Sequence, residues 1–169
     1  MEPDIVCAAK GIASGMPIGA MIARESIMDC LQANSISTFG GNPLAMAGAL
    51  ANIEYLLEHD LQTNASKVGR HLKSAIEDLG ERVDIVGEVR GKGLMIGVEF
   101  VTDRKSKKPA KKLRERILDK AFAHGLLMLG CGESTIRLSP PLSISQKLMD
   151  EALVLFESAI TESEAEGLH

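Results

Sequence analysis

Three sites in the 169-residue sequence carry side chains whose type and spacing suit chemistry, and a lysine is the most informative of them. Lys10 follows the apolar run Ile5–Ala9 and precedes Gly11, so its amine is expected at the end of a buried strand. Burial there disfavours the charged ammonium form and favours a neutral amine that is nucleophilic toward carbonyl groups. The alternative is a lysine that only marks the end of the strand and extends into solvent.

The second site is a loop at residues 35–43, called the glycine loop below, which reads SISTFGGNP. Its hydroxyl groups, backbone N–H groups and paired glycines would allow close approach to an anion. An ordinary glycine-rich loop before a helix is the alternative. Neither the GxxxxGK[ST] order nor the GxGxxG order is present, so the loop is neither a Walker A loop nor a dinucleotide fingerprint.

The third site is Arg137, which lies in the apolar segment TIRLSPPL just before a pair of prolines. A half-buried guanidinium must be paired, and its planar fork suits a carboxylate held by two hydrogen bonds. A structural ion pair with Glu99 is the alternative. Arg90, in VRGKGL, is expected to shape the connection between two strands rather than to touch a substrate.

The composition excludes several classes of protein. Apolar residues make up 45% and charged residues 25% of the sequence, which excludes a disordered chain and a disulfide-framework mini-protein. The net charge is −4 and there are only four Phe, one Tyr and no Trp, so we expect no nucleic-acid partner. The least charged stretch, residues 11–23, is shorter than the roughly 20 residues of a membrane span, so we expect no membrane span.

The three cysteines, Cys7, Cys30 and Cys131, form no CxxC pair, and no Cys/His cluster has a zinc-ligand spacing. They are expected to be buried small apolar residues rather than nucleophiles. The first residues are acidic where a secretory signal would be basic. These features predict a reducing, cytoplasmic setting without a metal.

Cap residues and hydrophobic periodicity predict alternating strands and helices. Asn42 followed by Pro43 is a strong helix start, and Ser145 is expected to cap the last helix. Gly80 and Gly125 are expected to end helices. The acids from Asp150 onward should form a frayed tail, and the basic run at residues 104–116 a solvated loop and helix face. The predicted strands are residues 5–9, 18–23, 83–90, 93–101, 126–129 and 135–139, and the predicted helices are residues 43–59, 61–79, 110–124 and 146–161.

The first two strands have no covering helix before them in the sequence, so the N-terminus is expected to be a cut edge. The layout is therefore a stub of two strands and one long helix, followed by a compact α+β unit from about residue 62.

Taken in order, four segments resemble the fold-type I, class III pyridoxal-phosphate aminotransferases. PDIVCAAKGIASGMPIGAMIA is similar to that family's segment around the lysine that binds the cofactor, and STFGGNPLA to the loop that reaches the cofactor phosphate of the partner subunit. VRGKGLMIGVEF and GCGESTIRLSPPLSIS are similar to two strand motifs of its C-terminal domain. The resemblance covers essentially the whole chain.

The resemblance implies a role for each site. Lys10 would be the Schiff-base lysine of pyridoxal 5'-phosphate and the proton carrier. Thr38, with Ser37 beside it, would bind the cofactor phosphate of the neighbouring subunit. Arg137 would grip a substrate carboxylate. Because the loop acts on a partner, a homodimer or higher homo-oligomer is implied.

The resemblance also implies an α/β fold of the fold-type I transferases. Residues 1–61 would be the end of the large-domain sheet, and residues 62–169 the C-terminal α+β small domain. Members of the family are well over twice this length. The carboxylate that pairs with the pyridinium nitrogen, the main phosphate loop and the aromatic ring over the cofactor would lie upstream of Met1. We therefore expect the isolated chain to have little activity.

The implied reaction is transamination of an ω-amino acid with a 2-oxo acid acceptor. The segment GLLMLGCGESTIRLSPPL resembles 4-aminobutyrate aminotransferases more than the acetylornithine branch. It is also similar to the related amino-acid racemases, which need no second substrate. A third alternative is a non-catalytic truncated or assembly fragment.

Overall fold

The computed structural model describes residues 2–30, 32 and 36–167, and it divides the chain into two compact units, residues 1–60 and 61–169. Both units combine helices with antiparallel strands, which confirms the mixed α/β class that the sequence predicts. The strands are β1 Ile5–Ala9, β2 Gly19–Ala23, β3 Val86–Lys92, β4 Met95–Phe100, β5 Leu129–Cys131 and β6 Thr135–Leu138; the helices are α1 Glu25–Met28, α2 Pro43–Glu58, α3 Leu61–Arg82, α4 Lys111–Ala123 and α5 Gln146–Ala165, with a 3₁₀ turn at Lys10–Ala13.

In the first unit, β1 and β2 form a two-stranded antiparallel sheet whose register pairs Ile5 with Ala23 and Ala9 with Gly19. The prediction that these strands are buried is wrong for the described residues, since Ile5 is 48% and Ile22 is 65% exposed. Two strands alone cannot cover both of their own faces, and an apolar run therefore does not by itself establish burial.

Helix α2 begins where the sequence predicts, because the Asn42 side chain accepts a hydrogen bond from the Ala45 N–H at 2.9 Å. Proline at the first helical position supports the same start. The helix buries only two of its residues, Ala45 and Ala49. Its larger apolar side chains, including Leu44 and Leu57, remain exposed, so the first unit presents an apolar helix surface.

The second unit is a four-stranded antiparallel sheet in the order β3-β4-β6-β5, packed with helices α3, α4 and α5. One continuous apolar core joins these helices to the sheet. Its most enclosed members come from every layer: Ile76 from α3, Ile96 from β4, Ile117 from α4, Ile136 from β6 and Ile160 from α5 are all 1% exposed or less. The unit therefore has the interior that a stable small domain needs.

Helix α3 continues to Arg82, so the prediction that Gly80 ends it is wrong. Gly80 is buried and lies against Val86 on β3, where an added Cβ would be 3.2 Å from the Val86 Cγ1. Arg104 holds the end of the helix by donating from Nη2 to the carbonyl oxygens of Gly80 and Val83, the latter at 2.8 Å. Glycine is used here for close packing, and a distant arginine supplies the cap.

The turn between β3 and β4 rests directly on α3. Gly93 has a left-handed backbone with φ of +56°, and Gly91 has φ of +150°. A Cβ on Gly69 of α3 would lie 2.8 Å from the Gly93 Cα and closer still to the Gly93 carbonyl group. Two glycines therefore allow a helix and a turn to touch at backbone distance.

Helix α4 ends at Ala123, and Gly125 follows with φ of +88°, as the predicted glycine stop requires. The basic run is not wholly solvated as predicted. Arg114 is only 6% exposed, it pairs with Glu115, and its Cζ would be 2.9 Å from a Cβ added to Gly130. Strand β5 covers Leu129–Cys131, where the chain pairs with β6, so the predicted strand at 126–129 is placed too early.

Helix α5 begins at the predicted cap, where the Leu148 N–H donates to Ser145 Oγ at 3.2 Å, but it extends to Ala165. The predicted frayed acidic tail is wrong because the late acids pair with α4. Lys120 Nζ lies 2.8 Å from Glu166 Oε1 and 3.5 Å from Glu162 Oε2. The hydrogen bond from Lys120 lowers the pKa of the Glu166 carboxyl, and the same bond raises the pKa of Lys120. Paired charges thus keep this helix ordered to its end.

Within the described ranges, no helix is long and apolar enough to cross a membrane. The same part of the chain holds no cluster of three or more His, Cys, Asp or Glu side chains arranged for a metal ion. Cys7, Cys30 and Cys131 are free thiols and all three are exposed, so the prediction that they are buried is wrong.

Candidate functional site

The lysine predicted to react begins the 3₁₀ turn at Lys10–Ala13, which is called the Lys10 turn below. The turn follows β1 directly, so Lys10 lies at the end of a strand as predicted. Its backbone is left-handed, with φ of +54°, and Ser14 just after the turn has φ of +42°. The Lys10 side chain is exposed, so the described residues do not provide the expected burial. Among them Lys10 has no hydrogen-bond or ion-pair partner, which leaves its amine available.

Helix α2 holds this turn through one face of small residues. Ala13 is the buried member of the turn, at 3% exposure. A Cβ on Gly48 of α2 would lie 3.5 Å from the Ala13 carbonyl oxygen and 3.3 Å from the Met16 Cγ. The backbone of the turn thus packs closely against the helix, and a larger residue at position 48 would press on both neighbours.

Asn52, one helical turn further along α2, binds the Lys10 turn directly. Its Nδ2 donates to the carbonyl oxygens of Gly11 at 3.0 Å and Ile12 at 3.1 Å. Its Oδ1 accepts a hydrogen bond from Ser14 Oγ at 2.7 Å. The sequence interpretation missed this residue. A usable signal was the spacing of Ala45, Ala49 and Asn52, which places one polar side chain on the small-residue face of a helix.

The glycine loop is described from residue 36 onward, and Ser35 lies outside the described residues. Ser37 and Thr38 are both exposed. Gly41 has φ of +68°, and a Cβ on Gly40 would lie 2.9 Å from the Ser37 Cβ. The two glycines therefore let the chain fold back tightly beside the Ser37 hydroxyl group.

A cavity of about 300 Å³ lies beside this loop, within the first unit. Its walls combine the segment that leads into β2, the loop and the first turn of α2; its lining residues are Pro17, Ile18, Gly19, Ser37, Phe39, Gly40, Gly41, Asn42, Ala45 and Met46. Thr38 is not among these residues, so the structure brings Ser37 but not Thr38 to the cavity.

The start of α2 is already capped, which limits its use for binding an anion. Asn42 accepts the Ala45 N–H through its side chain and the Met46 N–H, at 3.0 Å, through its carbonyl oxygen. Pro43 has no N–H to offer. An anion at this cavity would therefore be held by the loop hydroxyl and backbone groups more than by the helix dipole.

In the second unit, Arg137 is exposed on β6, where its register partners are Gly97 and Leu129. The predicted alternative of an ion pair with Glu99 is wrong, because Glu99 pairs with Arg90 at 3.5 Å. The structure records no carboxylate within ion-pair distance of Arg137 among the residues it describes. Arg137 is one of the residues that line an apolar cavity of about 330 Å³; the others are Leu72, Leu126, Leu127, Met128, Leu129, Leu138, Ser139, Pro140, Ile144, Met149, Ala152, Leu153 and Phe156.

Arg90 has a structural role of the kind that the sequence predicts. Its Nη1 lies 3.1 Å from Glu88 Oε2 and 3.5 Å from Glu99 Oε2, and its Nη2 donates to Thr135 Oγ1 at 3.3 Å. These contacts connect three adjacent strands, β3, β4 and β6. Arg90 is therefore engaged by the sheet, whereas Arg137 is exposed and has no ion-pair partner among the described residues.

The residues present fit pyridoxal phosphate at two points. An amine at a strand end, without a partner among the described residues, is what an aldehyde group requires, and Lys10 supplies it. A cavity lined by a hydroxyl group and glycine backbone suits a phosphate, and the glycine loop supplies it. Each point stands on its own geometry within the first unit.

Comparisons with known proteins agree with this chemistry. The sequence model of the family described as aminotransferase class-III matches residues 1–160. The chain is 38% identical to the leucine/methionine racemase of Thermococcus litoralis, over 97% of this chain and 37% of the relative. It is 40% identical to the 4-aminobutyrate aminotransferase of Mycobacterium leprae, over 89% of this chain and 34% of the relative.

Solved structures extend the similarity to the fold. An amine transaminase from an uncultivated Pseudomonas species, in its pyridoxal-phosphate-bound form, superposes with a TM-score of 0.83 and 39% identity, covering 97% of this chain and 38% of that chain. The chain thus spans between about one third and two fifths of the length of these proteins.

Proposed function

Because this chain belongs to the class-III aminotransferase family, we propose that it is the C-terminal portion of a pyridoxal-phosphate-dependent aminotransferase for ω-amino acids. The amino group of a donor such as 4-aminobutyrate passes to a 2-oxo acid, and the donor leaves as an aldehyde. The observation that carries the proposal is the available amine of Lys10, at the end of β1 and at the start of a left-handed turn. The 40% identity to a 4-aminobutyrate aminotransferase supports the choice of donor.

Each site residue has a part in this proposal. Pyridoxal phosphate, when bound, withdraws electrons from the substrate carbon that loses its proton. The Lys10 amine would hold the cofactor aldehyde and, once an amine of the substrate has displaced it and set it free, would carry the proton between the two carbon atoms that exchange it. Ser37 and Thr38 donate hydrogen bonds to a phosphate. Arg137 binds a substrate carboxylate through two parallel N–H groups.

The same proposal includes a second copy of the chain. Thr38 is exposed and is not among the residues that line the cavity beside Ser37, so its hydroxyl group is available to a phosphate outside that cavity. The exposed apolar surface of α2 gives such a partner an area to cover. We therefore propose a homodimer in which Thr38 serves the cofactor of the partner. Residues 1–61 then belong to the large domain and residues 62–169 to the small domain.

An amino-acid racemase of the same family is the second candidate, favoured by the 38% identity to the leucine/methionine racemase. The two reactions share a lysine that moves a proton, and they differ in whether a 2-oxo acid is consumed. A dependence of product formation on added 2-oxoglutarate in the longer protein supports the aminotransferase. Inversion of an amino acid without any 2-oxo acid supports the racemase.

A non-catalytic fragment is the third candidate, because the chain spans only 37% of its racemase relative. We propose that the isolated chain has little activity, since further parts of such a protein would have to complete the cofactor site. Three exposed free thiols also suit a reducing compartment such as the cytoplasm.

The direct test is to mix the chain with pyridoxal phosphate, fix the aldehyde to its lysine with borohydride, and map the label by peptide mass spectrometry. We expect the label to concentrate on Lys10, while the Lys10→Arg variant, which keeps the charge, loses that peptide's label and retains the rest. A label spread over the lysines of residues 105–120, with Lys10 no more reactive than they are, would contradict the proposal.

A further inference from the structure

The side chain of Asn52 is fully engaged with the segment that immediately follows Lys10. Two N–H groups go to the carbonyl oxygens of Gly11 and Ile12, and one oxygen accepts from Ser14 Oγ. All three partners lie within four residues of the lysine in sequence. A side chain on a regular helix thus holds the backbone segment that immediately follows Lys10.

The turn needs such support because its backbone is strained at both ends. Lys10 and Ser14 are both left-handed, a conformation that residues with a Cβ rarely adopt. Strained residues of this kind persist only where the surroundings determine their conformation. The Lys10 side chain is exposed and has no hydrogen-bond or ion-pair partner among the residues that the structure describes, so the hydrogen bonds that constrain this turn act on the backbone that follows.

Helix α2 is suited to supply this constraint. Gly48 and Asn52 of this helix contact the turn, and Ala45 and Ala49 are the buried residues of the helix, so the small side chain at position 48 allows the turn to approach closely. Ala13 packs at this contact between the turn and the helix, and it is 3% exposed. The amide of Asn52 then meets the two carbonyl oxygens at hydrogen-bond distance, whereas a charged or apolar side chain of similar size offers no pair of donors.

We propose that Asn52 is a positioning residue for Lys10, and that its hydrogen bonds to the turn set the direction in which the amine is presented to a carbonyl compound. The inference rests on the proposed function for the reactivity of Lys10. The hydrogen bonds themselves do not depend on that function.

The variants separate the donors of Asn52 from its volume. Asn52→Asp keeps the size and an acceptor for Ser14 but removes both N–H donors, and Asn52→Leu removes all three hydrogen bonds. Asn64→Leu is the matched control. Asn64 Nδ2 also donates to two loop carbonyl oxygens, those of Leu142 at 2.7 Å and Ile144 at 3.0 Å, but it does so in the second unit.

Two measurements are made on the 169-residue chain and on each variant. Amide hydrogen exchange of residues 11–16, without cofactor, reports whether the turn is held. The fraction of pyridoxal phosphate fixed to Lys10 by borohydride, relative to the other lysines and followed across pH, reports how the amine is presented. Urea unfolding of each variant shows that it is folded under the conditions of labelling.

We expect both Asn52 variants to exchange faster in the turn and to label Lys10 at least roughly tenfold less, because Asn52→Asp loses two of the three hydrogen bonds and Asn52→Leu loses all three. Their other lysines should label as in the parent chain, and Asn64→Leu should match the parent chain in both measurements. A purely structural role would instead move all lysines and the urea midpoint together.

Other outcomes overturn the inference. Labelling of Lys10 within twofold of the parent chain in a folded Asn52→Leu variant shows that Asn52 does not position the amine. Unchanged exchange in the turn shows that Asn52 does not hold it. If the parent chain itself shows no preference for Lys10, the proposed function and the part of the inference that concerns the amine both fail, and exchange alone decides whether Asn52 holds the turn.

Discussion

The close approach of α3 to the β3–β4 turn predicts that Gly69→Ala strongly destabilises the second unit. A new Cβ would lie 2.8 Å from the Gly93 Cα and closer to its carbonyl group, and both neighbours are backbone atoms. Neither can move easily, since Gly93 occupies a turn fixed by the pairing of Lys92 with Met95. Side-chain rotation cannot relieve a clash of this kind.

The magnitude follows from two opposing effects. Replacing glycine by alanine within a helix normally stabilises it by about 1 kcal/mol. Inserting a methyl group into a packed site costs about 1–3 kcal/mol and more where the backbone must shift. Because the contact here is with backbone, we take the upper part of that range and expect a net loss of about 2 kcal/mol in the free energy of unfolding.

Urea unfolding followed by far-ultraviolet circular dichroism measures this loss, since the chain has no Trp and only one Tyr for fluorescence. With an m-value of about 2 kcal/mol per molar urea, the midpoint should fall by about 1 M. Gly80→Ala in the same helix is the control. Its Cβ would meet only the Val86 side chain, with Cγ1 at 3.2 Å and Cβ at 3.6 Å, and a side chain can shift there more easily than backbone. A Gly69→Ala variant that unfolds at the same or a higher urea concentration than the parent chain would refute the reasoning.

Three further predictions concern charge and packing in the second unit. Glu166→Gln should lower the urea midpoint near neutral pH, and its difference from the parent chain should shrink as the pH falls. The bond from Lys120 lowers the pKa of Glu166, so the stabilisation from this carboxylate is present above the ordinary value of 4.5 and is lost as the pH falls through the lower folded-state value. Urea midpoints from pH 3 to 7 measure this difference. An equal loss of midpoint at every pH in that range would contradict it. Arg137→Met in the longer protein should raise the KM for a carboxylate substrate roughly tenfold to a hundredfold with a smaller change in kcat, and an unchanged KM in steady-state kinetics would exclude this role. Gly130→Ala should lower the free energy of unfolding of the second unit by about 1–3 kcal/mol, because the new methyl group meets the buried Arg114 guanidinium. Adding Arg114→Met to that variant should recover part of the loss. If the two losses simply add in a double-mutant cycle, the two residues are not coupled and the reasoning fails.

Features set by one local interaction were predictable from the sequence. The starts of α2 and α5 each depend on one side chain, Asn42 and Ser145, that accepts a hydrogen bond three residues ahead. The end of α4 depends on the left-handed backbone of Gly125. In each case the residue type and the local geometry determine each other, so no knowledge of distant contacts is needed.

Features set by distant contacts were not predictable in this way. Gly80 looks like a helix stop, but it lies inside α3 because Val86 packs on it and Arg104 caps the carbonyl groups beyond it. The acids of α5 look like a solvated tail, but Lys120 binds Glu166 across 46 positions of sequence. A local pattern contains no information about partners that are so far away along the chain.

For the candidate site, residue identity was more informative than residue environment. Lys10 and Arg137 are placed at a strand end and on a strand, as expected, yet both side chains are exposed rather than buried. Apolar neighbours in sequence predicted burial, but burial depends on which layers cover a strand. Asn52 was missed because it carries no reactive group and its role depends on two carbonyl oxygens about 40 residues away.

The left-handed backbone of Lys10 has a consequence for anyone who engineers this chain. Asparagine tolerates that conformation better than lysine does, so Lys10→Asn should raise stability by a few tenths to about 1 kcal/mol. A selection for heat tolerance or expression yield would therefore favour loss of the amine. Libraries that seek more stable variants should keep position 10 constant, because each round of enrichment would otherwise gain stability at the expense of the reactivity that we propose for Lys10.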